Sequence, residues 1–518
     1  MSIRRFVGRS SKIAYPNSGV LACSLSLRGS DLWILTVILA IGMQACAVRQ
    51  PVVLPVEPDF AGCAGFFRDM DVRVDEFGVA DAATARIEGF PGLRIDRFLA
   101  SFAGADLTAD AYAAWLERLR GLDETARLKE WRNLPAAAKS ALRAPAAQEA
   151  GETISACGRI LAQPLSNASD QRARLLSNIQ PPDAYSNWQR IFGLYFLSRW
   201  AIVDGVRQLH SEMRAPFLAA HQQPAEGRLI RYEPPASPSI QAAEVAQILA
   251  QSAANPLGIP EPSPAQLEQL FSAYAPGWVV DTVSDDDRIG TVGLSADGEA
   301  QVDPQNPSVY RLPSHTRFGS QVLLQLNYLI WFPARPATGL LDIYAGRFDG
   351  LIWRVTLRMD GSPLAYESIH ACGCYYQIFP GQGVEVVQPL DGSEPVLAPV
   401  SILARQPGER LLVNVAAGNH FINGIATAMP ATDAKPYGWL DYDALRSLPM
   451  ADGGYRSMFD EDGLVAGSER LERFLLWPMG VPSPGAMRQW GTHAIAFLGK
   501  RHFDDPWLLE KLLRPLWE

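Results

Sequence analysis

The stretch SQVLLQLNYLIWFP, residues 320 to 333, puts Leu324, Leu326, Tyr328 and Ile330 on one side of an extended chain and Gln325 and Asn327 on the other. A period of two is that of a β-strand. Downstream, GLIWRVTLRMDGSPLAYESIH (350–370) reads as two strands joined at Asp360-Gly361, and VLAPVSILARQPGERLLVNVAAG (396–418) as a hairpin through Pro407-Gly408. Residues 277–428 are therefore expected to form a β-rich unit with antiparallel connections.

Upstream of Gly277 the period is helical. In LTADAYAAWLERLRGL, Tyr112, Trp115, Leu116, Leu119 and Leu122 recur at helical spacing behind a Thr108 cap. In SPAQLEQLFSAY, Ser263 caps, Pro264 takes the first helical position and Gln266 closes a capping box. IFGLYFLSRWAIV (191–203) is interrupted by Ser198 and Arg199, and reads as a buried amphipathic helix rather than a membrane span. After Pro436 the helical period returns, ending in DDPWLLEKLLRPLW with Asp505 as cap. The order predicts an α+β protein: a signal segment 1–46, a helical domain 47–276, the β-rich unit 277–428, and a helical C-terminal segment 429–518 packed on it.

With 518 residues, 48% of them hydrophobic and 19% charged, the chain can bury a large core. The net charge of −9 would repel a phosphate backbone, which argues against a nucleic-acid partner.

Location is written in LRGSDLWILTVILAIGMQACAVRQ (27–50). Arg28 precedes an apolar run from Leu32 to Met43, short for a bilayer crossing but suited to the core of an export signal; the alternative is an uncleaved anchor helix. MQAC resembles a bacterial lipobox, with Met43 and Gln44 departing from its usual residues. That resemblance implies lipidation of Cys46 and, with Ala47 following, an outer-membrane anchor facing the periplasm, the lipid being the membrane contact.

An oxidising compartment favours disulfides, and Cys63 with Cys157 would close a long loop across the helical half. YESIHACGCYYQIFP (366–380) gathers His370, Cys372 and Cys374. On an extended chain these three project to one side, about 6.5 Å apart at Cα, near enough to converge on a zinc ion. The two cysteines can equally form a strained, reducible disulfide, or remain inert thiols. A metal needs a fourth donor from His315, His420, His493 or His502. His315 is preferred, because it precedes a strand expected to pair near the one ending at His370.

Asp285, Asp286 and Asp287 lack the spacing of a calcium loop and read as a solvated turn, while His502 with Asp504 and Asp505 could orient a base. No HExxH, GxSxG, phosphate-loop or dinucleotide motif occurs.

The segments YRLPSHTRFGSQVLLQLNYLIWFPARP, LDIYAGRFDGLIWRVTL, SIHACGCYY and LLWPMGVPSPGAMRQWGTHAIAFLGKRHFDDP together resemble a group of proteobacterial envelope proteins with no assigned activity. The likeness spans most of residues 280–506 and implies location, not chemistry. Two functions follow as expectations. One is a zinc-dependent envelope hydrolase in which His370 and Cys372 or Cys374 hold the ion that activates a water. The other is a non-catalytic binding or scaffold lipoprotein whose CxC is a structural or redox-active disulfide.

Overall fold

The computed structural model describes residues 58–142, 149–166, 169–218, 224–236, 240–339 and 341–516. The Leu32–Met43 run and Cys46 lie outside the described residues.

The helical half opens with α1 (Pro58–Glu76), α2 (Ala109–Asn133) and α3 (Ala150–Ala162). Thr108 accepts from the Ala111 N–H and starts α2, whose Tyr112, Trp115, Leu116 and Leu119 are buried as their spacing predicts. Helices α4 (Asn187–Phe192) and α5 (Tyr195–Leu218) follow, then α6 (Ala242–Ser252) and α7 (Pro264–Tyr274), where the expected capping box is formed. Besides the short Ala85–Arg86/Arg94–Ile95 pair, a six-residue strand, β1 (Arg228–Glu233), arises within the stretch read as helical. It pairs antiparallel with β2 (Gly277–Thr282), so the first sheet draws on both halves of the chain.

The next strands are β3 (Ser308–Phe318), β4 (Gln321–Arg335), β5 (Gly346–Leu357), β6 (Pro363–His370) and β7 (Gln377–Pro380). They form an antiparallel meander, with the turn after Asp360-Gly361 joining β5 to β6. Strands β8 (Arg410–Val415) and β9 (Ile422–Ala428) pair with each other, and β8 adds in parallel to β2. The expected hairpin through Pro407-Gly408 is thus displaced: the arm before it is irregular, and β8 turns instead through Ala416–Phe421 into β9. Strand β10 (Gly438–Asp441) pairs in parallel with β3.

Two larger sheets result, with orders β7-β6-β5-β4-β3-β10 and, as the second sheet, β9-β8-β2-β1-Lys435–Pro436, beside four two-stranded pairings among the described residues. Along β4 the alternation separates two cores. Leu324, Leu326, Tyr328, Ile330 and Phe332 pack with Val280, Val413, Leu249 and Phe271 from the second sheet, α6 and α7. Leu323, Leu329 and Trp331 pack with Met487, Phe503, Leu508 and Leu512 of the C-terminal segment. Both faces of β4 are therefore buried; Gln325 bonds Ser314 and Thr356, and the Asn327 amide nitrogen donates to the Leu312 carbonyl and Ser314, while its Oδ1 has no partner among the described residues.

The C-terminal segment carries only short helices. Leu508–Leu512 is one turn and more, after which Leu513–Pro515 pair with Val384–Val386. The leucine stripe is buried as its period implies, yet strand pairing ends the helix early. Asp505 accepts from the Trp507 N–H. The described residues belong to one compact α+β unit, Leu54–Glu518. Buried ion pairs tie its ends together: Arg97 with Asp504 at 2.7 Å, and Arg446 with Asp81.

Candidate functional site

Strand alternation places Asp349 of β5 on the same face as Leu351 and Trp353, toward the second sheet. His370 ends β6 on the neighbouring strand, its row paired with Leu351. His420 lies in the β8–β9 connection, and Asp287 in the 3-10 turn Asp285–Asp287 that follows β2. Both sheets thus deliver one residue or more to a single buried line.

Asp349 is its centre. Oδ1 accepts from the Gly350 N–H at 2.8 Å and from His370 Nδ1 at 3.1 Å, and Oδ2 accepts from His420 Nδ1 at 2.9 Å. His420 Nε2 approaches Asp287 Oδ1 at 3.4 Å, long for a full hydrogen bond. Asp287 also accepts from the N–H groups of Val283, Ser284 and Gly418. All four residues are at most 3% exposed.

Burial opposes charge here, so the pairing decides who carries it. Burial works against the Asp349 carboxylate, but His370 and His420 outweigh it and hold its pKa well below the carboxylate range. Asp287 is likewise held down, to about 2, by His420 and the three N–H groups against its burial. Burial disfavours the His420 cation, yet the two carboxylates flanking it raise its pKa. Burial lowers that of His370 despite Asp349. The pattern is carboxylate, imidazolium, carboxylate, neutral imidazole. His370 then donates through Nδ1 and keeps a bare lone pair on Nε2, which has no partner among the described residues.

Backbone strain gathers at the same place. Phe348, Tyr375 and His420 have φ of 58°, 61° and 54°, three of the five described non-glycine residues in the left-handed region. Such conformations cost about 1–3 kcal/mol each and persist where surrounding contacts enforce them. Phe332, across from Asp349 in the sheet, stacks on the His420 ring at 4.0 Å, and Arg470 binds the Phe348 carbonyl.

Beyond His370 the chain leaves the sheet. The expected extended run through residues 370, 372 and 374 is corrected: Ala371–Gly373 turn, with Gly373 N–H donating to the His370 carbonyl at 2.8 Å and His370 N–H to that of Cys374 at 3.0 Å. Cys372 and Cys374 are unbonded to each other. The Cys374 N–H donates to Cys372 Sγ at 3.4 Å, which holds the two cysteines side by side in the turn. The adjoining Cys372 thiol, burial and the nearby charge of Glu472 push the Cys374 thiol pKa well up. Burial in turn raises the Glu472 carboxyl to about 7, against the guanidinium groups of Arg335 and Arg470. The turn cannot shift easily: a Cβ on Gly373 would stand 2.6 Å from the Ala494 carbonyl, and Arg488 N–H and His493 Nε2 both hold the Ala371 carbonyl. Tyr375 closes the outer side, its ring 4.8 Å from that of His370 and its hydroxyl accepting from Arg335 at 3.2 Å.

Of the predicted donors, His370, Cys372 and Cys374 stay together, whereas His315 does not join them. His315 pairs with Leu324, six residue rows along β3 from the row of His370 and three strands away. It contacts the Pro260 carbonyl at 2.8 Å and lines a separate cleft of about 590 Å³ with Asp96, Glu117, Arg118 and Glu261. The sequence places His315 at a strand edge but does not give the register that separates it. His502 meets Asp183, while Asp504 pairs with Arg97, so no base is oriented there. Among the described residues no three His, Cys, Asp or Glu side chains are grouped as metal ligands would be. Cys63 and Cys157 lie at disulfide distance, 2.03 Å between sulfurs.

Asp349 is the residue that sequence reading missed, and Asp287 the one it misassigned to a solvated turn. In GRFDGLIW an acid interrupts a strand otherwise buried on both faces, which is a readable signal. No protein-family model, curated protein or solved structure matches the chain.

Proposed function

We propose that the chain is an exported envelope protein, anchored by lipid at Cys46 to the outer membrane and facing the periplasm, whose Cys372-Gly373-Cys374 turn exchanges electrons with disulfides. One observation carries the chemistry: two unbonded cysteines held side by side in a constrained turn, the Cys374 N–H on Cys372 Sγ, near a carboxyl whose pKa burial raises to about 7. The export signal in the sequence and the Cys63–Cys157 pair both suit an oxidising compartment.

Cys374, half-buried, is the sulfur a substrate disulfide reaches, and Cys372 lies behind it. Glu472 takes the Cys374 proton, and the thiolate attacks R–S–S–R′, forming a mixed disulfide and releasing R–S⁻. Cys372, losing its own proton, displaces R′–S⁻ and closes the Cys372–Cys374 bond. The two thiol protons end on the two leaving thiolates, and two electrons pass to the substrate. The raised Cys374 pKa makes the reduced pair slow at neutral pH and faster as pH rises.

The zinc hydrolase keeps one specific point in its favour, the unpartnered Nε2 of His370, whose Nδ1 is held by a carboxylate as second-shell partners hold metal ligands. Metal analysis and thiol counting on one tag-free preparation separate the readings. Redox chemistry requires no stoichiometric metal and a two-thiol change under mild reductant with the fold retained, and Cys372→Ser should trap a mixed disulfide at Cys374. One zinc per chain supports the hydrolase instead, and thiols that neither oxidise nor exchange support a scaffold.

A further inference from the structure

The stretch expected to be a buried helix is not buried. Trp188, Ile191, Phe192, Phe196, Leu197 and Trp200, from α4 and the first turns of α5, are 57–75% exposed. They are joined by a second segment: the Trp188 and Trp477 rings lie 5.5 Å apart, and next to them Phe474 and Leu475 are 70% and 63% exposed. Gly193 lets the segments abut, since a Cβ there would stand 2.6 Å from Pro478 Cα. Contiguous exposed apolar surface of this kind marks a contact site.

We infer that this patch docks on an anionic phospholipid bilayer, seating its rings at the headgroup–acyl boundary. Charge favours that occupant. Between Trp188 and Trp200 the sequence holds Arg190 and Arg199 and no acid; both are half-buried and donate to carbonyls, Arg190 to Met479 and Gly499 and Arg199 to Gly392, so carboxylates do not neutralise them there, and the abutting segment adds Arg473, while its Glu472 is turned inward at 5% exposure. A locally basic rim on a chain of net −9 is complementary to anionic headgroups. Composition agrees: tryptophans beside arginines, around a centre of Phe, Leu and Ile, is the pattern of interfacial segments.

The test uses the full chain with Cys46→Ser, mixed with phosphatidylethanolamine/phosphatidylglycerol vesicles carrying brominated acyl chains. Tryptophan emission should be quenched in this chain and the quenched fraction should fall in Trp188→Phe/Trp200→Phe, leaving the share of Trp477 and Trp33. Phe196→Asp/Leu197→Asp should lose the same quenching while its circular dichroism is unchanged. Equal quenching in all three forms overturns the patch as a membrane site and leaves export standing. Absence of vesicle binding likewise overturns the patch as a membrane site. A chain that dimerises in lipid-free buffer, with Phe196→Asp/Leu197→Asp monomeric, assigns the patch to a second copy and overturns the membrane.

Discussion

A buried carboxyl with a pKa near 7 links the candidate site to stability through one residue, Glu472. Its ordinary value is 4.5, and in the fold it rises to about 7. Between those values only the folded chain holds the proton, so this group's contribution to stability falls as pH rises through that window. The shift corresponds to a loss on the order of 3 kcal/mol by pH 8. Urea denaturation at pH 5 and pH 8 should show the decline in the wild type and a much flatter profile in Glu472→Gln; equal slopes would place the carboxyl in water. Gly373 gives a second residue-scale expectation. Gly373→Ala introduces a Cβ 2.6 Å from the Ala494 carbonyl at a φ of 88°. It should cost roughly 2 kcal/mol or more and slow thiol exchange, although neither sulfur is altered. Asp349→Ala would leave the His420 cation with one weak partner, and a loss of about 3–5 kcal/mol is expected by the same denaturation measurement.

At the scale of elements, the helix caps test the local grammar. Ser263 both accepts from Gln266 N–H and receives the Gln266 side chain at its own N–H, so Ser263→Ala should lower the unfolding free energy by about 1 kcal/mol without changing the thiols. Such caps and the alternation of β4 were legible because they depend on residues a few positions apart. What was not legible depends on register and on who covers whom. His315 and His370 both sit on strands of one sheet, yet pairing order puts two strands between their positions. The Leu508–Leu516 stripe has a helical period, but a strand partner at Val384–Val386 takes its end. The Ile191–Val203 stretch carries the apolar content of a buried helix, and no short-range rule says that its rings meet solvent. Similarly, Asp287 lies in a turn as its local sequence suggests, while its burial comes from the His420 loop arriving from 130 residues downstream, where Gly418 N–H binds it at 2.7 Å. The thiol pair was found by spacing alone; its partners Asp349 and Glu472 were not, because each acquires its role from a strand or loop remote in sequence.

Across the whole molecule, the C-terminal segment is tied to the larger sheet and to the N-terminal half by residues far apart in the chain. Arg354 and Glu367 form a buried pair under the C-terminal Phe503, and Arg97, Asp81, Asp504 and Arg446 join the N-terminal helices to the final hundred residues. The Cys63–Cys157 bond spans 94 residues of the helical half. Replacing both cysteines by alanine should destabilise the protein by about 4 to 5 kcal/mol if the restraint acts chiefly on the unfolded chain. It should leave the Cys372–Cys374 pair untouched, since that turn is braced by Arg488, His493 and Ala494 rather than by the helices.

The redox account is tested most directly by equilibrating the native protein in glutathione buffers across a range of ratios, alkylating, and reading mass. It predicts a single two-electron step in which two alkyl groups are lost together from Cys372 and Cys374, with circular dichroism unchanged and Cys63–Cys157 unmodified throughout. Two thiols that alkylate equally at every ratio, or that oxidise only after unfolding, would contradict it.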